Sequence, residues 1–380
     1  MDTPTLLSPL DLPGGGALKN RIVMPPLVIW KAGEAALVTE DHLRHYRQTV
    51  PGCGLVMVEA TAVSPEGRLA ATQLGLFEDR QIPGLRRLAD TIREAGALPG
   101  IQLHHAGGRT DMIKTWGATP LAPSVIPGNE EVRELTESQI LRIIDDFATA
   151  ARRALEAGYE LLELHGAHGY LGSQFLSPRT NRRGDRWGGS LENRSRFLHE
   201  VIRAVRGVAG NRALVSCRLG VAEAPPAEAT PDSPRPPHLQ VTEGVDAARR
   251  LAAAGLDMIH VSHAGGMSAP SEPEGDPERF RPDPVLQLAR PVREAVTVPV
   301  IGVSGIVTAE DAEEALTRGY CNLVAIGRGM LADPQWARKV TEGRPEEIER
   351  CIHCKPRCFH FKEPEKCPAR RKLGIGPPGA

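Results

Sequence analysis

The sequence has 380 residues, 41% of them hydrophobic, and a formal net charge of −1. That balance allows a large core and excludes a broadly basic nucleic-acid binder or a chain held to anionic membranes by charge. No apolar run reaches the ~18 residues that span a bilayer, and Met1–Leu12 has neither a basic start nor an apolar stretch, so a soluble cytoplasmic protein without a leader is expected.

Short aliphatic runs alternate with amphipathic segments along the chain. In order, a strand expected at Ile22–Leu27 precedes a helix at Glu40–Val50, Leu55–Ala60 precedes Ile82–Ala95, Leu98–Leu103 precedes Glu137–Ala157, and Glu160–His165 precedes Leu191–Val208. The second half continues with Ala213–Leu219 and Thr242–Ala254, Asp257–Val261 and Asp283–Val296, Val298–Val303 and Ala309–Thr317, then Asn322–Ile326 and Pro334–Thr341. Thr136 and Thr308 read as N-caps with an acidic residue in the following turn. Gly96, Gly158, Gly255 and Gly319 each close a helix just ahead of a strand. Repeated αβ units demand a parallel sheet. Eight of them predict an α/β fold, a closed (β/α)8 TIM barrel over residues 1–345. Residues 346–380 form a short C-terminal four-cysteine metal-binding extension, too short and polar to order without a metal or the barrel surface.

One further segment interrupts the pattern. Residues 222–237 (AEAPPAEATPDSPRPP) are too rich in proline for regular structure. By position they form the loop after the fifth strand, on the face where barrel enzymes keep their sites, either as a surface insertion or as a lid. Of the seven cysteines, Cys53, Cys217 and Cys321 sit alone in apolar stretches and read as buried small hydrophobes. The other four crowd into Cys351, Cys354, Cys358 and Cys367, a metal pattern rather than a set of disulfides in a chain without an export signal.

The fourth strand runs into Glu163–Tyr170 (ELHGAHGY), which brings two imidazoles and a phenol within six residues. Paired imidazoles can donate to one carbonyl oxygen, and a neighbouring tyrosine can protonate the adjacent carbon. Taken alone, the histidine pair is also compatible with zinc binding or inert packing. The longer run HGAHGYLGSQFLSPRTNRRGDRWGGSLENRSRF (His165–Phe197) resembles the signature of the old yellow enzyme family of NAD(P)H:flavin ene-reductases. LKNRIVMPPL (Leu18–Leu27), VEATAVSPEGR (Val58–Arg68), IQLHHAGGR (Ile101–Arg109), SGIVTAEDAEEAL (Ser304–Leu316) and LVAIGRGMLADPQW (Leu323–Trp336) resemble the family's other strand ends in order.

The resemblance implies FMN in the barrel mouth and reduction of an activated alkene, an α,β-unsaturated carbonyl compound or thioester. It implies that Pro26, Leu27 and Ala60 line the flavin ring, that Gln102 and Arg218 meet its pyrimidine edge, and that Gly305, Gly327 and Arg328 cradle the phosphate. His165 and His168 match the pair that holds the substrate carbonyl, and Tyr170 matches the proton donor. C–N oxidation, or electron transfer with no small substrate, are the alternatives within the resemblance. Val28 stands where some members carry a side chain that bonds the flavin. Trp30 stands where one subgroup has a substrate-facing tyrosine, and Trp187 replaces a usual tyrosine.

Four thiolates suit zinc or a [4Fe–4S] cluster, and His353 and His360 could complete a zinc site. The spacing Cys-x2-Cys-x3-Cys after the last helix resembles the iron–sulfur branch of the family, typified by 2,4-dienoyl-CoA reductase and trimethylamine dehydrogenase. The short gap to Cys367 and Lys355-Pro356 depart from that pattern. No Gly-x-Gly-x-x-Gly follows, so electrons are expected from NAD(P)H directly or from a ferredoxin or flavoprotein partner. A homo-oligomer is compatible with all of this.

Overall fold

The computed structural model describes residues 5–126, 128–225, 236–265, 280–354, 358 and 366–375. Most of the proline-rich segment 222–237, Lys355-Pro356 and His360 lie outside them.

Eight strands close into one barrel. They are β1 (Ile22–Met24), β2 (Leu55–Ala62), β3 (Leu98–His104), β4 (Leu161–Gly166), β5 (Leu214–Gly220), β6 (Met258–Ser262), β7 (Val300–Val303) and β8 (Leu323–Ala325). Each pairs parallel with the next, and β8 returns to β1 through Val324↔Ile22. All eight expected strands are present. The first is shorter than expected because Pro25 and Pro26 have no N–H to offer a ladder.

The alternation of side chains along a strand separates two apolar layers. Outward residues such as Val56, Val58, Leu162, Leu164, Val215 and Cys217 pack in one cluster with the surrounding helices. Inward residues Val23, Leu55, Met57, Leu161, Met258, Ile301 and Leu323 form a second cluster. Leu18 joins that inner cluster from a hairpin, Leu10–Asp11 paired with Ala17–Leu18, which packs across the N-terminal end of the barrel. This hairpin was not expected from sequence. Its strands are two residues long, and its turn runs through Gly14, Gly15 and Gly16, all at positive φ.

The helices follow the expected order. Thr136 Oγ1 and Thr308 Oγ1 accept from the backbone N–H of Gln139 and Asp311, as N-caps do. Gly96, Gly158, Gly255 and Gly319 adopt φ between +72° and +117°, the left-handed stop. One expectation needs correction. The single helix expected at Asp283–Val296 is two pieces, Pro284–Gln287 and Ala289–Ala295. Pro291 cannot donate to the carbonyl four residues back, at Gln287, and its ring crowds that carbonyl, so the helix breaks there.

Candidate active site

Toward the C-terminal end the inner wall turns polar. Inward positions of four adjacent strands carry Gln102 and His104, Glu163 and His165, Ser216 and Arg218, then His260 and Ser262, with Gln102 beside Glu163 and His165 beside Arg218 in register. Glu163 is fully buried. Its Oε1 accepts from Gln102 Nε2 at 2.8 Å, and its Oε2 pairs with His260 Nδ1 at 2.9 Å. One carboxylate thus ties β3, β4 and β6 together, with both oxygens occupied.

Above it runs a row of imidazoles. His104 Nδ1 lies 2.8 Å from His165 Nδ1, His165 Nε2 lies 2.9 Å from His168 Nδ1, and His168 Nε2 lies 2.8 Å from Ser262 Oγ. Burial pushes His104 down to about 3 and holds His165 and His168 well below the usual histidine value, with neighbouring histidines and Arg218 adding to the effect. The three rings are therefore neutral at pH 7. His168 sits at φ +61°, a backbone state that costs of order 1–3 kcal/mol away from glycine. Its N–H donates to His263 O at 2.9 Å, and the Arg109 guanidinium donates to its carbonyl, which fixes the turn.

Tyr170 packs its ring edge-on to His104 and His165, with centroids 4.7 and 4.9 Å away, and Arg109 lies 5.3 Å from its ring centre. Burial pushes the phenol above its usual value, opposed by Arg109 and Arg218. It remains a protonated donor at neutral pH.

The mouth opens into a cavity of about 410 Å³ lined by Leu27, His168, Arg218, Ser262, Gly305, Gly327 and Arg328, among others. Expected ring-edge and phosphate-cradle residues therefore share one space. Pro26, Ala60, Gln102, His165, Tyr170 and Trp30 are not in that wall. Ala60 and Gln102 are buried, and Trp30 stands in the loop after β1 at φ +54°. Gly305 is left-handed at φ +74°, and a Cβ there would come within 2.6 Å of the Asp283 side chain. Val28 lies half-buried in the same loop as Trp30, while Trp187 is buried against Phe175.

Cys351, Cys354, Cys358 and Cys367 line a second, small cavity of about 30 Å³, and Arg328 and His353 belong to the walls of both cavities. Among the described residues no group of three or more His, Cys, Asp or Glu side chains is arranged to hold a metal ion as it stands. The extension is anchored to the barrel by Arg370, which donates to Leu331 O at 3.3 Å, and Lys372 pairs with Glu349 at 2.6 Å within it.

Sequence reasoning missed His104, Glu163, His260, Ser262 and Arg109 as members of this site. The signal was present in the period-two spacing. Polar residues recur at 102 and 104, 163 and 165, 216 and 218, and 260 and 262, just where barrel strands should be apolar on both faces.

A closed parallel barrel with titratable side chains gathered at its C-terminal mouth is the architecture of a TIM-barrel enzyme. The chain matches the NADH:flavin oxidoreductase / NADH oxidase family over residues 5–347. It is 39% identical over 351 residues to the NADH oxidase of Thermoanaerobacter brockii, covering 91% of this chain and 52% of that protein. It is 38% identical over 336 residues to the NADPH dehydrogenase of Geobacillus sp. (strain WCH70), covering 87% and 92%. Among solved structures, 2-naphthoyl-CoA reductase in complex with 2-naphthoyl-CoA superposes with a TM-score of 0.82 at 27% identity, over 94% of this chain and 55% of that one. The old yellow enzyme homologue from Zymomonas mobilis gives 0.74 at 27%, over 92% and 95%. The chain spans about half the length of the Thermoanaerobacter protein and of 2-naphthoyl-CoA reductase, and about nine-tenths of the other two. It belongs to the NADH:flavin oxidoreductase / NADH oxidase family and is an FMN-dependent oxidoreductase.

The residues present fit that cofactor. Arg218 Nε is buried without a hydrogen-bond partner, a guanidinium held ready for an anionic or carbonyl edge. The same cavity reaches the glycine turns at Gly305 and Gly327, where backbone can approach a phosphate closely. Among the described residues no helix is long and apolar enough to cross a membrane.

Proposed function

We propose that this chain reduces the activated double bond of an α,β-unsaturated carbonyl compound or thioester, with NAD(P)H as the electron source. The observation that carries the reading is the row of neutral imidazoles through His165 and His168, next to the protonated Tyr170, with His168 in the wall of the cavity. FMN, when bound, supplies the hydride that reaches the β-carbon. His165 and His168 donate N–H groups to the substrate's carbonyl oxygen, stabilising the charge that builds on it. Tyr170 passes its phenolic proton to the α-carbon, so each alkene carbon gains one hydrogen. Arg218 and Gln102 hold the pyrimidine edge, and the fixed cation favours the charge that a reduced ring carries. Pro26, Leu27 and Ala60 bound the ring, Gly305, Gly327 and Arg328 take the phosphate, and Trp30 shapes the substrate's approach.

The test is an anaerobic half-reaction. The flavin is photoreduced, 2-cyclohexenone is added, and absorbance of the oxidised flavin is followed. Return of that absorbance with consumption of one enone per flavin is expected. A flavin that stays reduced sinks the reading and favours an electron-transfer module.

Residues 1–345 are read as the barrel and residues 346–380 as an extension in which Cys351, Cys354, Cys358 and Cys367 hold a [4Fe–4S] cluster. The shared cavity of the four thiols supports this, and four thiolates are a donor set that such clusters take. The cluster, when bound, exchanges single electrons. Arg328 and His353, in the walls of both cavities, are then the side chains between cluster and cofactor, and a ferredoxin or flavoprotein becomes a possible donor. Anaerobically purified protein is expected to carry about four irons per chain and to lose them, but keep its flavin, in Cys354→Ala. One zinc per chain and no iron would replace the cluster with a structural zinc.

A further inference from the structure

The row of imidazoles has a direction, and one of its ends sets it. Three neutral rings carry three N–H groups for the contacts His104–His165, His165–His168 and His168–Ser262. Only two arrangements make every contact a hydrogen bond. In one, His104 Nδ1–H donates to His165 Nδ1, His165 Nε2–H faces His168, and His168 Nε2–H faces Ser262. In the other, every donor is reversed, and His165 spends its only N–H on His104.

The serine end is indifferent, because a hydroxyl donates or accepts. The other end is not. His104 is fully buried, and its Nε2 has no hydrogen-bond partner. The reversed arrangement would leave an orphan N–H there, which is rarer in proteins than an unfilled acceptor. The first arrangement leaves only a bare lone pair.

We propose that His104 is a positioning residue, which donates from Nδ1 to His165 Nδ1 and so holds His165 as the Nε2–H tautomer, the form with a proton to give a substrate oxygen. This rests on the reading of His165 and His168 as the carbonyl-binding pair. In the reversed arrangement His165 would present only a lone pair to that oxygen, repelling it. The ring of His104 also packs on Tyr170 at 4.7 Å between centroids, so the side chain contacts both parts of the donor set without facing the 410 Å³ cavity.

The test uses the flavin-loaded full chain labelled with ¹⁵N-histidine, and two variants. His104→Asn keeps an amide N–H near the place of Nδ1. His104→Leu keeps the bulk and removes the donor. Long-range ¹H–¹⁵N spectra of the unsubstituted protein should show His165 protonated at Nε2 and bare at Nδ1, with the same pattern in H104N and a mixture of tautomers in H104L. The rate of flavin reoxidation by 2-cyclohexenone should fall by roughly 10-fold in H104L, the value of one neutral hydrogen bond, and recover to within about 3-fold in H104N. Protonation of His165 at Nδ1 in the unsubstituted protein overturns the proposal, whatever the enone does. So does an H104L protein whose His165 remains wholly Nε2–H. An unsubstituted protein with the expected tautomer that fails to react with the enone upholds the role of His104 and instead refutes the carbonyl-binding reading.

Discussion

In Tyr170→Phe, reoxidation of the reduced flavin by 2-cyclohexenone slows by about 10²–10⁴-fold, the usual worth of a positioned proton donor. The substitution is conservative in every other respect. The ring keeps its edge-on contacts with His104 and His165 and its place under Arg109, so only the hydroxyl is lost. Flavin content and photoreduction still proceed, which separates a chemical defect from a binding defect. Stopped-flow absorbance under anaerobic conditions measures the effect, and an unchanged reoxidation rate would remove the phenol from the reaction. In the unsubstituted protein burial holds the phenol above its usual value of 10.0. The same half-reaction should therefore show no loss from phenol ionisation between pH 7 and 9.

Acid should weaken this protein earlier than its carboxylates alone would. Burial depresses His104 to about 3 and His105 and His263 to about 4, and keeps His165 and His168 well below their usual value of 6.5. As pH falls below 6.5 the unfolded chain binds protons that the folded chain refuses. The stability these neutral rings contribute is complete above 6.5 and is lost progressively as pH drops toward the folded values. Each such group contributes a slope of up to ~1.4 kcal/mol per pH unit, so His104 alone accounts for roughly 5 kcal/mol between 6.5 and 3. Asp146, pushed up to about 6 by burial, acts in the opposite sense but is one group against five. Urea midpoints at pH 7.5, 6 and 5 should fall steadily. A midpoint that holds level down to pH 5 would mean that the imidazoles are charged in the folded state.

The barrel was legible because its units repeat. Strand, helix, glycine stop and N-cap recur with a period that eight copies make hard to mistake. Errors came where one residue overrode a pattern. Pro291 broke a helix whose apolar spacing continued past it, and Pro25 cut the first strand short. The hairpin beneath the barrel and the helix Leu171–Leu176 are too short to show any period. Of the site, residues in contiguous runs, such as His165, His168 and Tyr170, could be read as a group. Gln102 was named alone, without the buried network that joins it to Glu163 and His260. Gln102, Glu163 and His260 lie 61 and 97 residues apart along the chain in their contacts. Only the pairing of β3 to β6 as neighbours in one sheet brings them together.

The hairpin that packs Leu18 beneath the inner apolar layer has a consequence for traffic. With its interior packed by side chains and the hairpin across its bottom, the barrel offers ligands one doorway among the described residues, the C-terminal mouth. On the proposed reading, the nicotinamide that delivers electrons and the alkene that receives them must use that doorway in turn. Each excludes the other while inside, and the spent reductant has to leave before the acceptor can enter.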